Sequence, residues 1–445
     1  MLWDLLYGLD LFAIALFLLS YYLTCYRRGY RIDFWHWNLF LTCVLPNLLM
    51  LPFAGSELNA ATLGQDFQRV VAALPEIFLI TLLGYFSMLA GGSLWRLRTG
   101  LGLRRAAASI LDIIPRCSMM VMSSRRLLVF QASLCVVAQV AVLAIYFANS
   151  GFGFDLRLYT FAHPWVRPVA LIISNYSIYV GSHCFARYAD TKERALLVST
   201  LLISLGLVFF GSRSNLLGIY FGVMMCYLIK LRNKISLFRV FGLGATIVTV
   251  ALYLGRLRGG VASLSDFLGS LFFLLFYGDN FSDLRDFSWV YANWNHVPWA
   301  GKTYLAAILA FIPRAGSTFR DTWGSGVATA RTIGLDPQVH PGVRPGAFGE
   351  SYFNFGLLGV VAVGLVLGII GRRVDIEVKL ALAAKRPSFA KAFSFTMIGA
   401  IAGCFAISVS VSNLYVLFGM YSVTWLCLQV RDLIRPRRAS SAGPT

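Results

Sequence analysis

Long apolar runs broken by short polar, arginine-rich segments dominate the chain from its first residues. A helix needs about 20 mostly apolar residues to cross the roughly 30 Å hydrocarbon core of a bilayer. Eleven runs fit that requirement: residues 5–25, 34–54, 75–95, 127–148, 168–187, 195–211, 214–230, 238–255, 350–371, 390–409 and 412–430. The sixth and seventh are the shortest, joined by a tight turn at Gly211-Ser212-Arg213-Ser214. The pattern predicts an all-α polytopic integral membrane protein of about 11 transmembrane helices. Residues 1–254 hold the first eight helices, 255–349 form one large loop, 350–430 hold the last three and 431–445 make a basic tail. The first run is too long, and its start too acidic (Asp4, Asp10), for a cleaved signal peptide. The Ser/Gly/Pro tail from Ser440 has the composition of a disordered segment.

Composition excludes the soluble alternatives. Hydrophobic residues make up 58% of the chain and charged residues 13%, against roughly 45–50% and 25% in soluble domains. The net charge of +19 would suit a nucleic-acid binder, but its distribution points elsewhere. One alternating set of loops carries 27 basic and 7 acidic residues, the other 12 basic and 13 acidic. Lys and Arg accumulate on the cytoplasmic side of membrane proteins. The N-terminus is therefore expected outside, the C-terminus inside, and the 255–349 loop outside. The charge excess is a topological signal, aided by anionic headgroups on the inner face, and implies no nucleic-acid partner. All eight Cys fall in spans or cytoplasmic loops, which excludes a disulfide framework in the oxidising outer compartment. No metal-binding spacing of Cys and His is present, so no metal and no cofactor is expected.

The 95-residue loop at 255–349 draws the functional reading, since loops of that length are uncommon unless functional. Leu264 to Tyr277 and Thr303 to Ile312 read as short interfacial or re-entrant helices. Asp279, Asp283 and Asp286 share one helical face, read as a solvated face with a cation site as the alternative and Asp279 as a sugar-positioning group. On the outer side stand Arg213, Arg256, Arg258, Arg314, Arg320, Arg331 and Arg344. Arg presents a planar fork that matches phosphate oxygens two at a time, although each could also snorkel to headgroups or pair with Asp. Glu350 sits in the first turn of the ninth span beneath a Gly-rich approach, with Tyr352 and Asn354 just beyond. Helix capping explains part of such a placement, but ionisable groups at membrane depth are usually functional. His340 and His296 are further acid/base candidates; His36, His163 and His183 carry less signal. Trp289, Trp294, Trp299 and Trp323 could stack sugars or mark a membrane interface. Few charges fall inside the spans, which disfavours a transporter of lipid-linked glycan, where broken helices and deep charges are expected.

The chain resembles the Wzy-type oligosaccharide repeat-unit polymerases (O-antigen polymerases). The resemblance rests on the Gly211-Ser-Arg213-Ser turn, the late outer loop, and the run Arg344…Gly349-Glu350-Ser-Tyr352-Phe-Asn354-Phe-Gly356. It implies inverting, metal-independent glycosyl transfer of the membrane glycosyltransferase C type at the outer face of a bacterial inner membrane. A growing glycan would leave its undecaprenyl pyrophosphate and join a fresh lipid-linked repeat unit, and a chain-length regulator is a possible partner. It also maps a phosphate-clamp role onto Arg213 and Arg344 and places Glu350 in the matching loop-to-helix motif. Some polymerases of this kind carry Arg-x10-Gly motifs; Arg344 to Gly356 is one residue longer, so that motif does not carry over. The related O-antigen ligases use an outer-loop His in a His-Asn/Ser context, whereas His296 precedes Val-Pro and His340 precedes Pro-Gly. The expected site therefore joins pyrophosphate-binding Arg213, Arg256, Arg258, Arg314 and Arg344 to a base, Glu350 or His340, with Tyr352, Asn354 and Asp279 positioning sugars.

Overall fold

A computed structural model describes residues 2–94, 111–151, 165–210, 213–258, 267–271, 281–312, 316–337 and 342–434, with isolated positions at 156, 159–160, 163, 265 and 340. The side chains at 213–215, 251, 254–258, 409 and 432–434 lie outside that description. The architecture is all-α, with no strand among the described residues. The principal helices are α1 (Leu2–Thr24), α2 (Phe34–Leu39), α3 (Phe67–Leu94), α4 (Ile113–Ser123), α5 (Arg125–Ser150), α6 (Val166–Thr191), α7 (Arg194–Phe209), α8 (Arg213–Leu231) and α9 (Leu237–Arg258). Four short ones follow, α10 (Asp283–Ala292), α11 (Lys302–Ile308), α12 (Thr318–Trp323) and α13 (Ser325–Thr332). The chain closes with α14 (Gly346–Ala383), α15 (Phe389–Ala406) and α16 (Val411–Ile434).

Among the described residues, nine helices are long and apolar enough to cross a membrane. The protein is a multi-pass membrane protein. The two other expected spans, 195–211 and 238–255, are also helical; α7 has 16 residues, and the described apolar part of α9 ends at Val250. Of the helix expected over Leu264 to Tyr277, positions 267–271 are helical and most of the rest lies outside the described residues. The turn at Gly211-Ser212 and the Ser440 tail lie outside them too. All eight cysteines are free.

The chain divides into two compact units, Met1–Leu111 with Tyr220–Leu414, and Asp112–Ile219 with Tyr415–Thr445. The first is organised by α3 against α14. Lipid tails are as apolar as leucine, so membrane helices associate through close packing and small residues rather than through hydrophobic burial. Here Gly84, Ser87, Gly91 and Gly92 of α3 meet Gly364 and Gly368 of α14. A Cβ added at Gly91 would lie 2.2 Å from the Leu365 carbonyl oxygen, and one at Gly368 would lie 2.1 Å from that of Met88. Gly92 in turn faces the indole of Trp35 on α2.

α14 is interrupted at Gly356, whose φ of 62° and ψ of −154° no helix shares. The helix before the break carries Glu350, Tyr352 and Asn354. Beyond it, the apolar run expected to end at 371 is followed by Arg372, Asp375 and Lys379. The helix instead continues to Ala383 and draws these residues into a network. Asp33 caps α2 by accepting from the His36 backbone N–H at 2.8 Å, and its Oδ1 also lies 2.8 Å from His36 Nδ1. Lys379 Nζ donates to Asp33 Oδ2 at 2.8 Å and to Asp375 Oδ2 at 2.9 Å, and Arg372 Nη1 approaches Asp375 at 3.3 Å. His36 Nε2 completes the link to α1, 3.2 Å from Ser20 Oγ and 3.3 Å from Thr24 Oγ1. Burial works to raise the pKa of Asp33, but His36 and Lys379 outweigh it and hold the carboxyl well below the usual range. Breaking one partner of a buried pair strands the other, at a cost of about 3–5 kcal/mol.

The second unit packs α5, α6 and α7 through buried amides and hydroxyls. Gln139 Nε2 donates to Ser177 Oγ at 3.0 Å and to the Ile203 carbonyl at 3.3 Å. Gln131 Nε2 donates to Thr424 Oγ1 of α16 at 2.9 Å, and Ser118 Oγ lies 2.9 Å from His183 Nε2. His183 is fully buried there.

The glycine contact yields a direct test. Gly368→Leu forces α14 off the α3 backbone and is expected to destabilise the protein by about 1–3 kcal/mol or more. Gly403→Leu, at a glycine with nothing within 4 Å of an added Cβ, is the matched control and should melt like the parent in detergent. Equal melting temperatures for Gly368→Leu and the parent would refute the packing account.

Candidate functional site

The described part of the 255–349 loop folds onto the first segment of α14, and three groups of side chains result. The first is charged. Asp286 of α10 is 5% exposed and fully engaged: Ser282 Oγ donates to its Oδ2 at 2.8 Å, while Arg285 Nε and Nη2 donate to Oδ1 at 3.1 and 2.9 Å. Arg285 Nη1 reaches Asn59 Oδ1 at 3.4 Å, and the Arg344 backbone N–H reaches Asp286 Oδ2 at 3.4 Å. Asp283, one turn earlier, is half-buried against Gly346, where an added Cβ would lie 2.8 Å from its Oδ2. Gly346 has a φ of +70°, so its lack of a side chain serves both conformation and contact. Burial and the neighbouring Asp286 push Asp283 up to about 7, against the pull of Arg344. Burial also raises Asp286, opposed chiefly by Arg285. The solvated acidic face expected over Asp279, Asp283 and Asp286 is therefore corrected: α10 starts at Asp283, and Asp286 is an interior ion-pair partner. The Arg344 side chain is exposed beside this pair of carboxylates.

The second group surrounds Glu350, which is 1% exposed. Thr303 Oγ1 donates to Glu350 Oε1 at 3.0 Å, the Ser408 N–H donates to Oε2 at 3.0 Å, and the Ser408 hydroxyl donates to Oε1. Ser325 adds another hydrogen bond. Asn354 Nδ2 donates to Thr303 Oγ1 and to the Glu350 carbonyl, both at 2.8 Å. These residues tie α11, α13, the α14 mouth and the segment after α15 into one knot. A general base must come within hydrogen-bond reach of the proton it removes. Glu350, with both oxygens engaged and almost no exposure, is placed as an interior anchor, and its partners are hydroxyls and backbone rather than Arg344. Asn354 belongs to the same knot.

The third group is an aromatic platform. The Tyr291 ring lies 5.2 Å from His296 and 6.0 Å from Tyr352; the Trp294 ring lies 5.4 Å from His296 and 5.9 Å from Tyr352. Tyr291 and Tyr352 are half-buried, and His296 is exposed. His296 has a φ of 59°, a strained backbone state that turns its ring onto the platform. At the edge stands Glu76 of α3, an exposed carboxylate that accepts a hydrogen bond from the Tyr291 hydroxyl. Burial and this carboxylate raise the pKa of Tyr291, which keeps its proton. Asp66 fixes the back of α10, accepting from Trp289 Nε1 at 2.8 Å and from Asn293 Nδ2 at 3.1 Å.

Of the expected site residues, Tyr352 joins the platform, Arg344 the charged group, and Glu350 and Asn354 the knot. His340 is half-buried and its Nδ1 accepts the Gly342 N–H at 3.1 Å. Arg314, Asp279 and the side chains of Arg213, Arg256 and Arg258 lie outside the described residues. Sequence reasoning missed Glu76, although a carboxylate beside Pro75 in an apolar run is a signal in itself. It also missed that Cys25, Asp33 and His36 bring potential ligand atoms within 4.8 Å of one another; both Asp33 oxygens are already engaged by His36 and Lys379 there. No protein-family model, curated protein or solved structure matches the chain.

Two outcomes are expected. Asp283 binds a proton more tightly folded than unfolded, so its contribution to stability is complete below about pH 4 and is lost as pH rises towards 7. Parent protein should lose melting temperature over that interval relative to Asp283→Asn; parallel pH profiles would disprove the assignment. Glu350→Ala leaves Ser408 and Thr303 unsatisfied, costing about 1–3 kcal/mol per stranded group, whereas Glu350→Gln retains an acceptor and should melt closer to the parent.

Proposed function

We propose that the protein is a membrane glycosyltransferase that joins lipid-linked oligosaccharide units at the platform formed by Tyr291, Trp294, His296 and Tyr352. The observation that carries this reading is the pairing of a half-open aromatic surface with the exposed carboxylate of Glu76 at one end of a membrane-helix pair. Sugars offer C–H faces to aromatic rings and hydroxyls to carboxylates, and an interfacial position suits a glycan held on a lipid. The resemblance to repeat-unit polymerases supplies the donor class, a glycan on undecaprenyl pyrophosphate.

In this reading an acceptor hydroxyl attacks the anomeric carbon of the donor sugar. The bond from that carbon to the pyrophosphate oxygen breaks, and the lipid pyrophosphate leaves with its electron pair. The hydroxyl proton passes to Glu76 or His296, the two exposed basic groups on the platform. Arg344 stabilises the departing charge, with Arg256, Arg258 and Arg314 as further phosphate ligands from the same loop. Glu350 acts at a distance by holding the α14 mouth in place.

Purified protein supplied with lipid-linked repeat units should yield lengthened glycan on the lipid. Arg344→Ala should lower that rate by roughly 10²–10³-fold, while Tyr352→Ala should mainly raise KM. Lengthening unaffected by either variant would overturn the assignment. One observation favours a second reading: the break at Gly356 resembles the interrupted helices of transporters. A protein that moves the unmodified lipid-linked glycan between leaflets, without lengthening it, would establish that reading. Transfer seen only when lipid A core is supplied would identify a ligase.

A further inference from the structure

We propose that the groove between the start of α5 and the end of α16 binds an anionic phospholipid. It lies within the second unit, has a volume of about 420 Å³, and is lined by Ser124, Arg126, Leu127, Cys427, Leu428 and Arg431. None of these side chains is acidic.

The placement follows from the helices. α5 begins at Arg125 and α16 carries Arg431 in its last turn, so both candidate spans present these ends at one bilayer face. That is the depth of lipid phosphates. The neighbouring Arg125 is engaged, its Nε 2.8 Å from Glu193 Oε2, whereas Arg126 lines the groove. Two guanidiniums from two helices can grip one phosphate with several charge-assisted hydrogen bonds. Leu127 and Leu428 form the apolar part of the wall. Further along the same helices, Phe130 (62% exposed) and Leu134 on α5 and Trp425 and Leu426 on α16 are exposed apolar surface for acyl chains. A lone snorkelling arginine needs no concavity; here the charge sits in a recess continuous with lipid-facing surface. Basic recesses at helix ends match anionic headgroups in this way, and the inference does not depend on the reaction proposed above.

Cys427 provides the reporter, since it lines the groove and is exposed. Cys117 and Cys404 are partly accessible and the other five cysteines are buried, so a Cys117→Ser/Cys404→Ser background confines labelling to Cys427. In nanodiscs of phosphatidylcholine, an uncharged maleimide should label Cys427 quickly. Nanodiscs containing phosphatidylglycerol should slow labelling, and Arg126→Gln/Arg431→Gln should shift the phosphatidylglycerol fraction needed for half-protection upward by roughly 25-fold, at about one factor of five per arginine. Equal labelling of the variant and parent in phosphatidylcholine verifies that the groove is intact. Absence of protection by phosphatidylglycerol, or its persistence in the double variant, would overturn the proposal. Equal protection by inorganic phosphate in phosphatidylcholine discs would do so too, by showing an anion site indifferent to the lipid.

Discussion

The approach of α3 to α14 is the constraint on which the first unit depends. Without a hydrophobic drive between helices in lipid, contact has to come from surfaces that fit, and glycines at 84, 91, 364 and 368 bring the backbones within reach of each other's carbonyl oxygens. That approach has consequences at both ends of the pair. At one end it sets Glu76 of α3 beside Tyr291, which itself packs at a tilt against Tyr352 of α14. At the other it brings Trp35 of α2 onto Gly92, next to the Asp33 and Lys379 network. Any side chain at the glycine contact would move both ends together.

The buried charges divide by how they are compensated. Asp33 has an ammonium and an imidazole as partners, Asp286 a guanidinium, and Glu350 only hydroxyls and backbone N–H groups. Ion pairs of this kind contribute little over a hydrophobic replacement, yet are costly to leave half-made. Their effect is to fix geometry. The Asp33 network ties α1, α2 and α14; the Asp286 pair fixes α10 against Arg344; the Glu350 knot locks the short segment before Gly356. The α14 mouth is thereby a rigid support on which the half-open platform rests.

The spans were legible because their signal is local. Each apolar run is contiguous, and all eleven are helical in their described parts. Boundaries were less legible: α14 runs twelve residues past the expected 371, because Arg372, Asp375 and Lys379 read as solvated charges until Asp33, more than 300 residues away in sequence, is seen to pair with Lys379. The site was half legible for the same reason. Tyr352 and Arg344 were marked by their place in a distinctive run. The partners of Glu350, however, are Thr303, Ser325 and Ser408, three common hydroxyl residues with no periodic relation to it. A carboxylate at a helix mouth is visible in sequence; the long-range hydrogen bonds that hold it are displayed by no window along the chain.

Two carboxylates near one helix pair thus have opposite fates, and environment rather than residue type assigns them. Glu350 has both oxygens held by donors and is 1% exposed, so it would have to break hydrogen bonds before accepting a proton from another group. Glu76 holds one tyrosine hydroxyl and is otherwise exposed beside aromatic faces, open to contact without any rearrangement of the fold. Glu350, a carboxylate at a helix mouth, is enclosed by the fold, whereas Glu76, beside a proline in an apolar run, is exposed at the edge of the aromatic platform.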